Sequence, residues 1–328
     1  MLRTVLAACA AIALATGAAH AQPKAKYSAK IGHLEAPSQP RHQGLVKVAE
    51  LVKSRTNGEV EFQLFPSSQL GNARQMIEGT QLGTSEGTVM PAAFLGGFNP
   101  AIAILDIPFL FPSDRAAAQK LRAGAFGKAL LDSFSSRGFV AIALWPNGRK
   151  SLTSNKPLDS IEALKGQKFR VMDSRILMEQ FAAVNASAVA IQFGELYTAL
   201  QTGVMDGQEN PFTQIYSAKL QEVQKYLSLS GHVYTPAYLT VGMTHWNTLP
   251  ADVRKALEDT AKETQAFVYE AAAKDDTALL DKLKQAGMQV NDVDKEAFVA
   301  ASKPIYEEFG KEVSGAKELI DRAVALRQ

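Results

Sequence analysis

The chain has 328 residues, 46% of them hydrophobic, with 35 basic against 33 acidic side chains and a formal net charge of +2. That is too much chain for one ordinary core and enough apolar material for two, so two globular lobes are expected. Near-balanced charge, with no Lys/Arg run interleaved with aromatics, excludes the electrostatic footprint of a nucleic-acid binder.

In chain order, residues 1–22 read MLRTVLAACAAIALATGAAHAQ: one basic residue, an apolar run over 5–15, then Ala19-His20-Ala21. This is the pattern of a secretory signal cut before Gln22. The run is shorter than the roughly 20 residues a spanning helix needs. Leu6 to Cys9 resembles a lipoprotein cleavage box, but almost no hydrophobic region precedes it. Cys9 is the one cysteine and leaves with the signal. The mature chain is therefore expected to be exported and soluble, without a disulfide, thiol nucleophile or thiolate metal ligand.

Strand-like and helix-like segments then alternate, the pattern of an α/β protein. A strand over 26–34 leads to a helix over 44–58, stopped at Asn57-Gly58. Val60, Phe62 and Leu64 alternate in a half-buried strand closed by Pro66. A helix over 73–82, a strand at 88–90 and a helical stretch over 113–138 with Ser113 as N-cap follow. The continuous apolar run 139–145, FVAIALW, is expected to be a fully buried strand, and the first lobe to end near it. Next come a short capped helix over 157–166, a strand over 167–172, then helix, strand and helix over 175–186, 188–192 and 195–203. Residues 206–211, DGQENP, crowd turn-formers and amide side chains and read as a loop. Residues 249–286 read as one helix from a Pro start to a Gly stop. At about 1.5 Å per residue it is on the order of 50 Å long, so it must run along both lobes.

Two motifs bear on chemistry. Residues 83–87, GTSEG, fit G-x-S-x-G, which would make Ser85 the nucleophile of a secreted hydrolase. That elbow needs a strand before the serine and a helix after it, whereas here the order is reversed. The histidines outside the signal show no metal-ligand spacing, and no G-x-G-x-x-G or complete Walker sequence occurs, so no metal or cofactor is expected. In GQKFRVMDS, residues 166–174, strand alternation turns Phe169 and Val171 one way and Lys168, Arg170 and Met172 the other. Arg170 thus need not enter the apolar core. Near the C-terminal end of an α/β strand it faces the crevice where ligands bind, and a surface arginine or structural ion pair is the alternative.

Taken together, GQKFRVM, FGELYTALQTGVMDGQENP and LQEVQKYLSLSGHVYTP, with TNGEVEFQLFPSSQLG and LDIPFLF upstream, resemble the DctP-type solute-binding proteins of TRAP transporters over nearly all of the mature chain. The resemblance implies a two-lobed Venus-flytrap α/β fold, a hinge of crossing strands, a long helix spanning both lobes and a cleft that closes on a small carboxylate. It implies no enzyme activity. The implied partners are that ligand and integral-membrane transporter subunits; the implied location is the periplasm. Arg170 falls on the arginine that grips the ligand carboxylate by two parallel bonds, a geometry for which the planar guanidinium is suited. Asn210 falls on an asparagine that donates to the same ligand, and Phe193 resembles a pocket aromatic. The family often has an arginine two residues after the glycine of NG-x-R; here Lys150 stands there with Arg149 beside it, which implies a second cationic contact. Gln214 and His33 are further ligand-binding candidates, each also readable as structural. Lobe I is expected to comprise 22–147 with about 236–275, and lobe II 148–235 with about 276–328. A stand-alone organic-acid sensor is the alternative to a transporter subunit.

Overall fold

The computed structural model describes residues 25–326. The expected signal sequence and its cleavage site lie outside them. Two sheets form, one per lobe. The first contains β1 (Tyr27–His33), β2 (Val60–Phe65), β3 (Gly87–Pro91), β4 (Phe139–Trp145) and a strand that returns from far along the chain, β10 (Ala237–Gly242), in the order β2-β1-β3-β10-β4. Strands β1, β2 and β3 pair in parallel, and β10 pairs antiparallel with both β3 and β4. The second contains β5 (Ser151–Ser154), β6 (Lys168–Val171), β7 (Ser187–Ala190), β8 (Gly207–Asn210), β9 (Tyr226–Ser228) and β11 (Gln289–Asn291), in the order β11-β9-β5-β8-β6-β7.

Parallel strands require crossovers, and helices provide them. In the first lobe these are α1 (Pro40–Arg55), α2 (Ala73–Leu82), the single turn α3 (Ala92–Leu95), α4 (Arg115–Ala123) and α5 (Ala125–Asp132). Helix α1 starts on Pro40 and buries Leu45, Val48 and Val52, spaced as one helical face. Helix α2 begins in a capping box between Asn72 and Gln75 and stops at Gly83, whose φ of 82° no β-carbon residue adopts readily. The second lobe adds α6 (Arg175–Ala182), α7 (Leu196–Gln201) and α8 (Phe212–Ser217); α9 (Met243–Trp246) follows β10.

The long helix is α10 (Ala251–Gln285), 35 residues and about 52 Å. Its first half places Val253, Leu257, Ala261 and Val268 in the core beneath the first sheet, with Leu45 and Val48. Its end places Leu283 in the second lobe's core with Leu196 and Leu200. It joins the lobes, as its length required. Two chain segments also cross between the sheets side by side: the Lys150 amide donates to the Val233 carbonyl at 2.8 Å, and Arg149 bridges Tyr234 antiparallel. Finally α11 (Lys295–Glu312) packs on α6, and α12 (Ala316–Ala325) on α5 and the tight turn Pro100–Asp106, so the C-terminal segment lies across both lobes.

Four expectations are corrected. Asp114, not Ser113, caps α4: its carboxylate accepts the Ala117 amide at 2.6 Å, and its charge favours the positive end of the helix. The helical stretch there is also two helices broken at Gly124. Strand β4 is at the sheet edge, so Val140, Ala141 and Ile142 are only partly covered. And the polar stretch read as a loop is the strand β8, buried throughout and hydrogen-bonded between β5 and β6.

Candidate ligand-binding site

Strand β6 pairs in parallel with β8 so that Arg170 lies beside Gln208, on the same sheet face. Phe169 takes the other face and stacks on Phe181 of α6 at 4.7 Å. Arg170 is fully buried, and its Nε donates to the Ile191 carbonyl at 2.8 Å. Its Nη1 and Nη2 have no partner among the described residues. Burial lowers its pKa to about 10, with Glu209 opposing, so it remains cationic at neutral pH. The Phe193 ring stands 6.0 Å from Cζ. Asn210, two residues beyond Gln208, shares that face and donates to Gln208 Oε1 at 2.5 Å, while Gln208 donates to Thr153 at 2.9 Å. A dry guanidinium, anchored at Nε and presenting both Nη groups, is a receptor for a planar two-oxygen anion.

The other expected cations are committed elsewhere. Glu209 occupies the opposite face of β8; it accepts from Lys150 at 2.5 Å through Oε1 and from Gln180 and His232, each at 2.7 Å, through Oε2. Burial would raise the Glu209 pKa, but Lys150 and His232 outweigh it and hold the carboxyl at about 2. Arg149 donates to the carbonyls of Gly231 and Pro112, lies over Tyr234, and lines a separate cavity of about 470 Å³ with Tyr269 and Asp276. Lys150 is thus engaged by a carboxylate, and Arg149 by main-chain carbonyls.

Gln214 of α8 donates to Asn147 at 3.4 Å and accepts from Gln39, the residue that opens α1. Gln39 also donates to Ser217 at 2.6 Å, so it ties the first lobe to α8 of the second. A second such tie joins Ser174, the N-cap of α6, to Asp106 at 2.8 Å. His33 is buried at the C-terminal end of β1, 3.1 Å from His42, beside the buried Glu35–Arg41 ion pair. The contacts of Gln39 and Ser174 hold the two lobes together. A cavity of about 530 Å³ opens between them, lined by Phe94, Phe98, Ser174, Gln192 and Phe309 among others. Arg170 is not in that lining, yet Gln192 adjoins Phe193, whose ring covers the guanidinium. The unpartnered Nη groups of Arg170 carry specific chemistry for an anion, which a volume alone does not.

Sequence reasoning missed Glu209 and Gln39. Glu209 sat in the stretch taken for a loop, where Gly207 followed by three consecutive polar residues gave no strand signal. Ser85 does not support a hydrolase: its hydroxyl is buried in the turn between α2 and β3, 3.3 Å from that of Thr80. No cluster able to hold a metal occurs among the described residues, and none of their helices is long and apolar enough to cross a membrane.

The family model DctP, described as bacterial extracellular solute-binding protein, family 7, matches residues 31–312. The chain belongs to this family. A DctP-family protein is a periplasmic solute-binding protein of the TRAP type and not an enzyme, in keeping with the fold and with Ser85. The structure of a TRAP periplasmic solute binding protein from Desulfovibrio salexigens with bound orotic acid is 54% identical, with a TM-score of 0.87 over 92% of this chain and 98% of that one. A second, from Sulfurospirillum deleyianum with bound succinate, is 33% identical, with a TM-score of 0.86 over 92% and 99%. The 2,3-diketo-L-gulonate-binding periplasmic protein YiaO of Escherichia coli is 33% identical over 90% of this DctP-family chain and 91% of its own.

Proposed function

We propose that the protein captures a small organic-acid anion by closing its two lobes over Arg170 and delivers it to the integral-membrane subunits of a TRAP transporter. The observation that carries this reading is the pair of buried, unpartnered Nη groups on Arg170. The ligand carboxylate docks on them in parallel, Asn210 donates from the same sheet face, and Phe193 covers the pair. Gln214 serves closure through Gln39, His33 supports the Glu35–Arg41 pair, and Lys150 acts through Glu209. Arg149 braces the crossing strands. Closure needs no bond chemistry: ligand favours the closed arrangement, which the membrane subunits engage.

The sheet memberships support lobe I as 22–147 with about 236–275 and lobe II as 148–235 with about 276–328. Export is taken to end with cleavage after Ala21. The 54% identity to a protein holding orotic acid makes orotate the first compound to test. Calorimetric titration of the mature protein with orotate and other organic acids should find a ligand whose binding is lost in Arg170→Ala. Uptake of that acid should cease in cells lacking the membrane subunits; undiminished uptake would refute delivery to a TRAP transporter.

A further inference from the structure

The buried charges of the two lobes bear on what the ligand can be. Among the described residues three Lys or Arg side chains are buried: Arg41, Lys150 and Arg170. Arg41 is paired with Glu35, which has essentially no exposure, and Lys150 with Glu209, which has none. Each pair sums to zero. His33 Nδ1 lies 3.1 Å from Glu35 Oε2, so this imidazole too faces an acid of the protein. At the mouth of the 530 Å³ cavity, Arg74 is bound to Glu78 and Arg175 to Glu179 and Glu312. Arg149 is directed at main-chain carbonyls beside the other cavity. Arg170 alone among the buried cations has no carboxylate within ion-pair distance, and both its terminal nitrogens are unpartnered. Asp106, buried at the interlobe contact with Ser174, has no cation within ion-pair distance and adds no positive charge, so Arg170 is the one buried cation left for a ligand.

Resting on the function proposed above, we infer that the site is built for an anion with a single carboxylate and excludes dicarboxylates. A first carboxylate neutralises Arg170 by two charge-assisted bonds. A second, shut between the lobes, would lose its water and meet no buried cation that is not already paired with an acid of the protein, the circumstance in which a charge is most costly to bury. It could be accommodated only by breaking the Glu35–Arg41 or Lys150–Glu209 pair, which would leave another buried charge unmatched. Selectivity here comes from pairing the spare cations within the protein, with no repulsive group needed.

The test is calorimetric titration of the mature protein with the monocarboxylates orotate, L-gulonate, D-erythronate and pantoate, and with the dicarboxylates succinate and pyridine-2,6-dicarboxylate. Arg170→Ala is titrated in parallel and its fold checked by thermal melting. The tightest monocarboxylate should bind at least about 30-fold more tightly than either dicarboxylate, the lower bound expected for an unmatched buried charge. A smaller preference, with binding still lost in Arg170→Ala, overturns the single-carboxylate inference and leaves the carboxylate-capture function standing. Binding of these acids that survives Arg170→Ala, or no binding of any of them, overturns the site assignment and the inference with it.

Discussion

Replacing Arg170 separates ligand recognition from structural charge pairing. In Arg170→Lys the positive charge is retained, but a single ammonium replaces two parallel donors held in plane by the bond from Nε to Ile191. In Arg170→Ala the ligand carboxylate would be left dry without a counter-charge. Removing one partner of a buried, charge-assisted pair costs about 2–5 kcal/mol, roughly 30-fold to several thousand-fold in affinity. Both variants should show a loss in that range. Folding should be much less affected: the native interactions forfeited are one hydrogen bond and the contact with Phe193, about 1–3 kcal/mol in all. The desolvation of two unpartnered Nη groups is relieved at the same time. The assay is calorimetric titration and thermal melting of wild type and both variants with the acid that binds. Near-wild-type affinity in both would refute the site assignment; unfolding of both without ligand would make Arg170 a structural residue.

Glu209→Gln leaves Lys150 buried without a counter-charge and should cost about 3–5 kcal/mol, roughly 6–20 °C in Tm; an unchanged melt would show that the pair contributes nothing. Because the folded Glu209 carboxyl sits at about 2 against an ordinary 4.5, its stabilisation is complete above pH 4.5 and should fade as pH falls toward 2, a slope that Glu209→Gln removes. Asp106 has the opposite sign: burial, opposed by Lys150, raises it from 3.8 to about 7, so its ionisation weakens the fold as pH rises between those values. Asp106→Asn keeps an acceptor for Ser174 and should be more stable than wild type at pH 8 by a few kcal/mol; equal melts there would contradict the assignment. Trp145 is fully buried at the end of β4, next to the crossing segments, so ligand should change tryptophan fluorescence and reduce the radius of gyration, with the optical change lost in Trp145→Phe. A signal carried by Trp246 instead would place the movement elsewhere.

Periodicity made the long helix and most strands legible, because α10 and β2 carry patterns that only one kind of element satisfies. The same logic failed at β8. GQEN has none of the apolar run of a buried parallel strand, and is buried because Gln208, Glu209 and Asn210 find polar partners in Thr153, Lys150 and Gln208. Such a strand is recognisable only once the residues that satisfy it are known, and those lie up to about 60 positions away. The role of Arg170 was half legible: alternation freed it from the apolar core, and resemblance indicated a carboxylate. That Lys150 turns to Glu209 could not be read from spacing, since it depends on which face of β8 the acid takes. The interlobe ties of Gln39 and Asp106 were hidden for a related reason, as each joins residues from lobes that the sequence describes separately.

The most direct test is a crystal structure of the protein grown with the organic acid that binds it. The account predicts one carboxylate of that ligand lying in the guanidinium plane, its oxygens about 2.7–2.9 Å from Nη1 and Nη2 of Arg170, with Phe193 alongside. A ligand held in either cavity without touching Arg170 would contradict it.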